Sequence, residues 1–397
     1  MAPNPTTPLA ALAVALTTAL AALTPSAATT PDPAPAAVAP ALVRAPDSLP
    51  APDSAPGLTP APVPGPARAC AGARSCWVDV SVAQVWTSPD LVREVDAPAL
   101  RHPADLRGWL AALGPDGEAR RTVPGETQAL YGTPVTVEAT RRDADGLLWD
   151  RVRVHGQPTP KDPGGAYPGW IPDRQLTSTR PRPPADAAPR HVTTRTAWAW
   201  TTAAGAAAAA TTGRATEYSY GTVFPVRPSG TKGVERATAH DGTALYLRSG
   251  DLAALPARPT GAAVLTEARK FLGLYYLWSG ASGFGQDCSG LTSQVYAALG
   301  VTVPRDAQPQ FDAGGGAAPA GSAKGTRIEP EDLAALRPGD VVAFGEDPDR
   351  ITHVGLYTGT KNGRPLMIDA PGTGLRTQEE PILTTHRTYQ GATRFLP

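Results

Sequence analysis

The sequence predicts a multidomain protein in which two small all-β barrels precede a domain of the α+β class. Two groups of short strand patterns, separated by a proline-rich stretch, predict the barrels. After residue 257, helical patterns come first and strand patterns follow, as in α+β domains. The chain has 397 residues, which is enough for several domains of ordinary size.

The composition narrows the possible classes of function. Lys and Arg together number 36, as do Asp and Glu, so the formal net charge is zero. A balanced chain lacks the basic surface of a nucleic-acid-binding protein or of one held on an anionic membrane. With three cysteines and no Cys-x-x-Cys pair, the sequence indicates neither a disulfide scaffold nor a zinc site. We therefore expect no nucleic-acid partner, no metal ion and no cofactor.

Residues 1–28 are typical of an export signal. The apolar run Leu9–Leu23 has 15 residues, too few to span a membrane. The small residues Ser26, Ala27 and Ala28 predict cleavage after Ala28. This segment carries no Lys or Arg, so a disordered Ala/Pro tail is the alternative interpretation. No other segment is apolar enough to span a bilayer, and we expect a secreted or wall-associated protein.

Residues 29–74 are predicted to form a disordered linker. Residues 29–68 include 12 prolines, and such a composition cannot bury enough apolar surface to offset its conformational entropy. We expect an extended tether between the point of export and the folded part.

The first barrel is predicted over residues 75–178. It begins with WVDVSVAQVW (77–86), whose alternation of apolar and polar residues is typical of a half-buried strand, and QALYGTPVTVEAT, LLWDRVRVHG and GGAYPGWIPDRQL follow. A linker at 179–190 leads to the second barrel at 191–256, with strands in TAWAWT, EYSYGTVFPV and GTALYLRSGDL. Its alanine-rich run 201–213 has an internal Gly and no amphipathic stripe, so it predicts a loop.

The α+β domain is predicted over residues 257–397. AAVLTEARKFLG forms an amphipathic helix, and a second helix spans Ser289–Leu299. PGDVVAF, ITHVGLYTG and PLMIDAP are predicted strands. The glycine-rich segment 313–326 lacks the Gly-Lys-Ser/Thr ending and the preceding strand of a phosphate-binding loop. We expect it to be a flexible loop.

Cys288 is a candidate nucleophile at the start of the second helix. Asp287 before it is a good N-cap residue. The positive end of the helix dipole and the unpaired N–H groups there favour a thiolate and can hold an oxyanion. A buried structural cysteine is the alternative. Cys70 and Cys76 are close enough to form a disulfide with each other in an exported protein, which leaves Cys288 as the odd thiol.

A thiolate nucleophile needs a base and an orienting group. His353 lies on a strand pattern among apolar residues of the same domain. His386 lies in a polar stretch and is predicted to be at the surface. Asp369 follows His353 by 16 residues, on the next strand pattern. Two paired antiparallel strands would place both side chains on one face, so that Asp369 can orient the imidazole.

The motifs GLYYLWSG, DCSGL, LRPGDVVAF, THVGLYTG and MIDAP, in this order, resemble the NlpC/p60 family of bacterial cell-wall cysteine peptidases. The resemblance covers about residues 258–397 and implies a papain-like fold. It implies that Cys288 is the nucleophile and His353 the base. The third triad position of the family, often His, falls on Asp369 here.

The upstream motifs VSVAQVWTSPD, TQALYGTPV and YPGWIPDRQL resemble the first bacterial SH3 (SH3b) barrel of γ-D-glutamyl-L-diamino-acid endopeptidases. The second strand group resembles their second SH3b barrel. This likeness implies cleavage between D-Glu and the diamino acid of peptides with a free N-terminal L-Ala. Substrate-binding roles carry over to Tyr167, Tyr276, Asp287 and Ser289. Two positions depart from the pattern, since Thr133 stands where a Glu is expected and Ala307 where a Ser is usual.

Together these expectations describe an exported, monomeric hydrolase whose partners are peptidoglycan stem peptides or released muropeptides. Three alternatives stay open at this point. The enzyme could be an amidase that cuts the muramoyl–L-Ala bond, or an endopeptidase that acts on intact wall. The third is a wall-binding protein without catalytic activity, which the filled triad positions disfavour.

Overall fold

The structure, a computed structural model, describes residue 70 and residues 74–115, 117–180, 182–373, 376–382 and 388–397. The expected signal peptide and nearly all of the expected tether lie outside the described residues, as does His386. Within the described ranges, no helix is long and apolar enough to cross a membrane. Three antiparallel sheets of six or seven strands follow one another along the chain.

The first sheet has seven strands in the order β3-β2-β6-β5-β4-β1-β7. They are β1 (Ser75–Val78), β2 (Val82–Trp86), β3 (Gly125–Leu130), β4 (Pro134–Arg142), β5 (Leu148–Val154), β6 (Tyr167–Pro172) and β7 (Leu176–Thr177). Buried aliphatic side chains from most of these strands form a common core. All seven strands lie inside the range predicted for the first barrel.

The prediction of a single strand at residues 77–86 is wrong. The chain forms two strands there, because β1 pairs with β4 while β2 pairs with β3. Between them, Asp79 donates its backbone N–H to the Gln175 carbonyl oxygen (2.8 Å) instead of to a ladder partner. Alternation of side chains continues through such a change of partner, so the sequence pattern does not reveal it.

Two helices interrupt the first sheet where the sequence analysis predicts none. They are α1 (Leu106–Ala112) and α2 (Glu118–Arg121), both between β2 and β3. The Asp105 carboxylate accepts the Gly108 N–H (2.8 Å) and caps α1. Trp109 on this helix packs 6.0 Å from Trp86, centroid to centroid. Burial of these aromatic rings stabilises a helix too short to persist alone.

The second sheet repeats the topology of the first. Its strands are β8 (Ala188–Val192), β9 (Thr196–Trp200), β10 (Arg214–Ser219), β11 (Val223–Pro228), β12 (Val234–Thr238), β13 (Ala244–Arg248) and β14 (Leu252–Ala253). Their order is β10-β9-β13-β12-β11-β8-β14, which is the order of the first sheet with every number raised by seven. The two sheets are therefore two copies of one architecture.

The loop predicted at residues 201–213 contains a short helix, α3 (Ala203–Ala207). The Thr202 hydroxyl accepts the Gly205 N–H (3.1 Å) and caps it. Ala206 is buried beside Trp200 in a small apolar cluster. The cap and this burial outweigh the absence of an amphipathic stripe.

The C-terminal part combines three helices with a six-stranded sheet, which confirms the predicted α+β class. The helices are α4 (Gly261–Arg269), α5 (Cys288–Ala297) and α6 (Ala307–Asp312), and a small hairpin, β15 (Ala281–Ser282) and β16 (Gly285–Gln286), precedes α5. The sheet has the order β17-β22-β18-β19-β20-β21. Its strands are β17 (Thr326–Ile328), β18 (Val341–Gly345), β19 (Ile351–Lys361), β20 (Arg364–Asp369), β21 (Gln378–Pro381) and β22 (Tyr389–Arg394).

Both predicted helices and the three predicted strands of this domain are confirmed, with small shifts at their ends. Strands β17, β21 and β22 are additional, and the first two are short and polar. The α4 and α5 helices pack on the sheet through one apolar cluster, which includes Val264, Leu291 and Val354. The glycine-rich segment begins with a 3-10 turn, Ala313–Gly315, and continues irregularly to β17.

Contacts between the first sheet and the C-terminal part bring the two walls of a cleft together. Gln84 donates to the Ser279 hydroxyl (2.9 Å), and Gln128 accepts the Ala281 N–H (3.0 Å). The Cys70–Cys76 disulfide is present at the start of β1, with the two Cα atoms 6.2 Å apart. Of the three cysteines, Cys288 alone is a thiol.

Candidate active site

All seven side chains singled out for catalysis or substrate binding line one cleft of about 1320 Å³. They are Tyr167, Tyr276, Asp287, Cys288, Ser289, His353 and Asp369. The cleft runs from the first sheet to edge strand β21 of the third sheet, because residues of both line it. Five further charged residues that the sequence analysis did not single out also line it, namely Arg121, Glu126, Lys161, Asp306 and Glu380.

Cys288 is the first residue of α5. Asp287 has the extended backbone of an N-cap, and its Oδ1 accepts the Gly290 N–H at 2.6 Å. Gly290 is required by packing, because a Cβ there would lie 1.9 Å from the Gly280 carbonyl oxygen. Helix and hairpin therefore touch through backbone, and this close contact fixes the position of the thiol.

His353 and Asp369 lie on paired antiparallel strands, as predicted. Gly355 of β19 faces Asp369 of β20, which places His353 two residues away on the same face. The His353 Nε2 atom lies 2.7 Å from the Asp369 Oδ2 atom. Because Nε2 is engaged by the carboxylate, Nδ1 is the ring nitrogen left for the sulfur of Cys288.

The electrostatics of the pair favour a protonated imidazole. Burial of the ring lowers the pKa of His353, but hydrogen bonds and charge interactions with Asp369 and Cys288 raise it more, to about 10. Asp369 is fully buried. A buried carboxylate beside the ring stabilises the positive charge that the ring carries after taking a proton from the thiol.

The Asp287 carboxylate, to which the family resemblance assigns a substrate-binding role, is already paired within the protein. Arg305 donates to its Oδ2 at 2.7 Å and to its Oδ1 at 3.1 Å, and the pair is almost fully buried. Arg305 also donates to the Ser289 hydroxyl (3.0 Å) and to the Thr127 hydroxyl (2.8 Å) of the first sheet. Arg305 therefore holds the N-cap residue of the helix that carries Cys288.

The other end of the cleft holds a chain of charged groups. Lys161 donates from Nζ to the Glu126 carboxylate (2.7 Å) and to the Tyr167 hydroxyl (2.8 Å). The Tyr167 hydroxyl in turn donates to the Asp306 carboxylate (2.9 Å). Burial raises the pKa of Asp306, although the nearby cations Arg305 and Lys161 oppose this.

The acidic residue that the first domain contributes to the cleft is not at position 133. Thr133 follows β3 in a turn, donates its N–H to the Leu130 carbonyl oxygen, and is absent from the described residues that line the cleft. Glu126 on β3 lines the cleft instead. Ala307 also lines it, so this departure from the family pattern lies at the site itself.

Tyr276 completes the wall nearest the sulfur. It is buried, and burial together with the charges of Asp287 and Cys288 raises the pKa of its hydroxyl. The hydroxyl therefore stays protonated at physiological pH and can donate a hydrogen bond into the cleft.

A thiol at a helix N-terminus, beside a histidine that a buried carboxylate holds, defines a cysteine peptidase. Residues 273–390 match the family model described as the NlpC/P60 family. The chain belongs to the NlpC/P60 family, and the wider comparisons agree.

Two curated relatives match over most of their length. A γ-D-glutamyl-L-lysine dipeptidyl-peptidase of Bacillus cereus is 34% identical over 331 residues, which cover 81% of this chain and 90% of the relative. A protein of the same name from Bacillus subtilis is 30% identical over 298 residues, covering 74% and 89%. The crystal structure of an NlpC/P60 family protein from Bacillus cereus matches with a TM-score of 0.66 at 30% identity, covering 81% of this chain and all of that one.

The raised pKa of His353 predicts an alkaline limit of activity. The ring keeps its proton as the pH rises and loses it near pH 10, so kcat/KM should fall through that range. Asp369→Asn removes the negative charge, which should lower the pKa of His353 by 1 unit or more and move the limit down with it (about 1–3 units for an opposite charge). Because Asn still accepts a hydrogen bond, this variant should lose less activity than His353→Ala.

The measurement is kcat/KM for peptide hydrolysis against pH. Asp347→Asn is the matched control, since Asp347 is an exposed carboxylate of the same domain that pairs with Arg350. An alkaline limit that stays in place in Asp369→Asn would remove Asp369 from the triad.

Proposed function

We propose that the protein is an exported hydrolase of peptidoglycan peptides that cuts the bond between the γ-D-glutamyl group and the diamino acid of the stem. The observation that carries the proposal is the arrangement of Cys288, His353 and Asp369 in one cleft. The names of the two curated relatives support the γ-D-glutamyl bond as the one that is cut. The apolar run before Ala28 supports export.

The proposed reaction proceeds by acyl transfer. The Cys288 thiol first gives its proton to His353, and the thiolate so formed attacks the γ-carbonyl carbon of D-Glu. Helix geometry leaves the N–H groups of Cys288 and Ser289 without partners inside α5, and they stabilise the oxyanion. His353 then protonates the leaving α-nitrogen of the diamino acid as the C–N bond breaks. Water, deprotonated by His353, hydrolyses the thioester and restores the thiol.

The end of the cleft at the first sheet is suited to a free amine. The Lys161 ammonium already lies between Glu126 and Tyr167, with Asp306 behind them. A buried ammonium is stable only where carboxylates and hydrogen-bond acceptors surround it, and this set provides both. In the proposal the N-terminal amine of L-Ala takes the place of Lys161, and Tyr276 and Ser289 contact the D-Glu residue.

We assign the two seven-stranded sheets to SH3b-like domains at residues 75–178 and 191–256, the second extended to Ala188 where β8 begins, before a catalytic domain at 257–397. Their identical strand order supports this assignment. The first of them supplies Glu126, Lys161 and Tyr167, which narrow the cleft on the side of the substrate's N-terminus. The narrowing favours short released peptides over intact wall.

The test compares L-Ala-γ-D-Glu-L-Lys with the same peptide blocked on the L-Ala amine by a muramoyl group. Mass analysis should show L-Ala-D-Glu and free lysine as products. We expect kcat/KM to be at least tenfold higher for the free peptide, because the blocked one cannot pair with Glu126. Glu126→Gln should reduce this ratio.

Glu138→Gln serves as the control, since Glu138 lies on β4 of the same sheet, half-exposed beside Arg151. Equal values for the two peptides, or faster cleavage of the muramoyl form, would contradict the free-amine proposal and favour an enzyme acting on intact wall. Release of muramic acid from L-Ala would instead identify an amidase.

A further inference from the structure

The cleft continues past the His353–Asp369 pair to β21, the edge strand of the third sheet. The described lining residues on that side include Phe344, Met367, Glu380 and Pro381. Three of the four are apolar, and Glu380 supplies the only carboxylate among them. The mechanism proposed above gives this part of the cleft no role.

The strand register places Glu380 on the same face as the catalytic pair. Met367 faces Glu380, and Asp369 faces Gln378, across the β20–β21 ladder. Directly opposed residues, and residues two apart on one strand, point to the same side of a sheet. Asp369 and Glu380 are therefore diagonal neighbours, for which Cα atoms are about 7–8 Å apart.

The surroundings of Glu380 are short of positive charge. Gln378 donates to the Oε2 atom of Glu380 at 2.7 Å. Glu380 forms no salt bridge with any residue that the structure describes. Burial and the charge of Asp369 raise the pKa of Glu380, and His353 only partly opposes them. The Oδ1 atom of fully buried Asp369 also lacks a hydrogen-bond partner among the described side chains and backbone.

The other cations that line the cleft do not pair with Glu380. Lys161 is paired with Glu126 at the first sheet, and neither Lys161 nor Arg121 of α2 forms a salt bridge with Glu380 in the part of the chain that the structure describes. A part of the cleft lined by apolar side chains and by a carboxylate without a salt bridge suits a cation on a hydrocarbon stem.

We propose that Glu380 binds the side-chain ammonium of the diamino acid and so selects a leaving residue with an aminoalkyl side chain. This inference rests on the proposed function. When His353 protonates the leaving nitrogen, that residue lies beside the catalytic pair, and its four-carbon side chain can reach the diagonal neighbour of Asp369. The methylene groups pack against Phe344 and Met367. meso-Diaminopimelate carries a carboxylate next to its side-chain amine, which Glu380 and Asp369 repel.

The experiment uses the full chain and three peptides, L-Ala-γ-D-Glu-X, in which X is L-Lys, L-norleucine or meso-diaminopimelate. We expect kcat/KM for the lysine peptide to exceed both others by about tenfold or more, the usual effect of a charge-assisted hydrogen bond. In Glu380→Gln the ratio of kcat/KM for the lysine peptide to kcat/KM for the norleucine peptide should fall about tenfold. The ratio of kcat/KM values for two substrates of one variant is unaffected by partial loss of folded protein.

Glu379→Gln is the matched control. Glu379 is the preceding residue, faces the other side of the strand and lies 3.6 Å from Arg269, so the wild-type ratio should persist. Equal kcat/KM for the three peptides in the wild type, or an unchanged ratio in Glu380→Gln, would overturn the role of Glu380 alone. Failure to cut any of them after D-Glu would instead overturn the proposed function.

Discussion

Cys288→Ala should abolish peptide hydrolysis, with a loss on the order of 10⁶-fold, as expected when a nucleophile of a triad is removed. The folded structure should persist, because the side chain loses only its sulfur and Asp287 still caps α5. Far-UV circular dichroism and the urea midpoint would show that the variant is folded. Ser293→Ala on the same helix should keep wild-type activity, since Ser293 does not line the cleft.

Chemical labelling gives a second test of the same nucleophile. Iodoacetamide should alkylate Cys288 and inactivate the enzyme, and Cys70 and Cys76 should resist it because they form a disulfide. Hydrolysis that persists in folded Cys288→Ala would exclude Cys288 as the nucleophile and leave the proposed acyl transfer without support.

Arg305→Met should produce the largest loss of stability. Arg305 is 2% exposed, and its removal leaves the buried Asp287 carboxylate without a countercharge. Breaking one side of a buried ion pair costs about 3–5 kcal/mol. Activity should fall as well, because Asp287 caps the helix that carries Cys288.

A double variant separates the charge effect from simple loss of packing. Asn is a good N-cap residue, so Asp287→Asn combined with Arg305→Met removes the unpaired charge and keeps the cap. It should recover part of the unfolding free energy lost in Arg305→Met. Arg350→Met, which breaks an exposed pair, should cost about 1 kcal/mol or less. An Arg305→Met protein with wild-type unfolding free energy would refute the structural role of this pair.

The parts of the site that the sequence predicted depend on local geometry. A helix cap joins residues three apart, so Asp287 and Cys288 could be placed from their neighbours. Likewise, 16 residues between His353 and Asp369 suit two strands joined by a turn. Both relationships are present in the structure.

The parts that the sequence missed depend on how separate sheets pack. Arg305 meets Thr127 across 178 residues, and no local pattern marks either one as a partner. Glu126 could not be chosen over position 133, because no local pattern shows which residues in or after β3 reach the cleft.

The polar contacts between the first sheet and the C-terminal part also bear on how the chain folds during synthesis. Gln84, Gln128 and Thr127 find partners that emerge 195, 153 and 178 residues later. Each of these side chains also has a hydrogen-bond partner within the first domain, but the bonds to the C-terminal part form only after that part has been made. The last third of the chain therefore completes the hydrogen bonding of the first sheet. A nascent or truncated product should expose the cleft-facing side of that sheet to proteases.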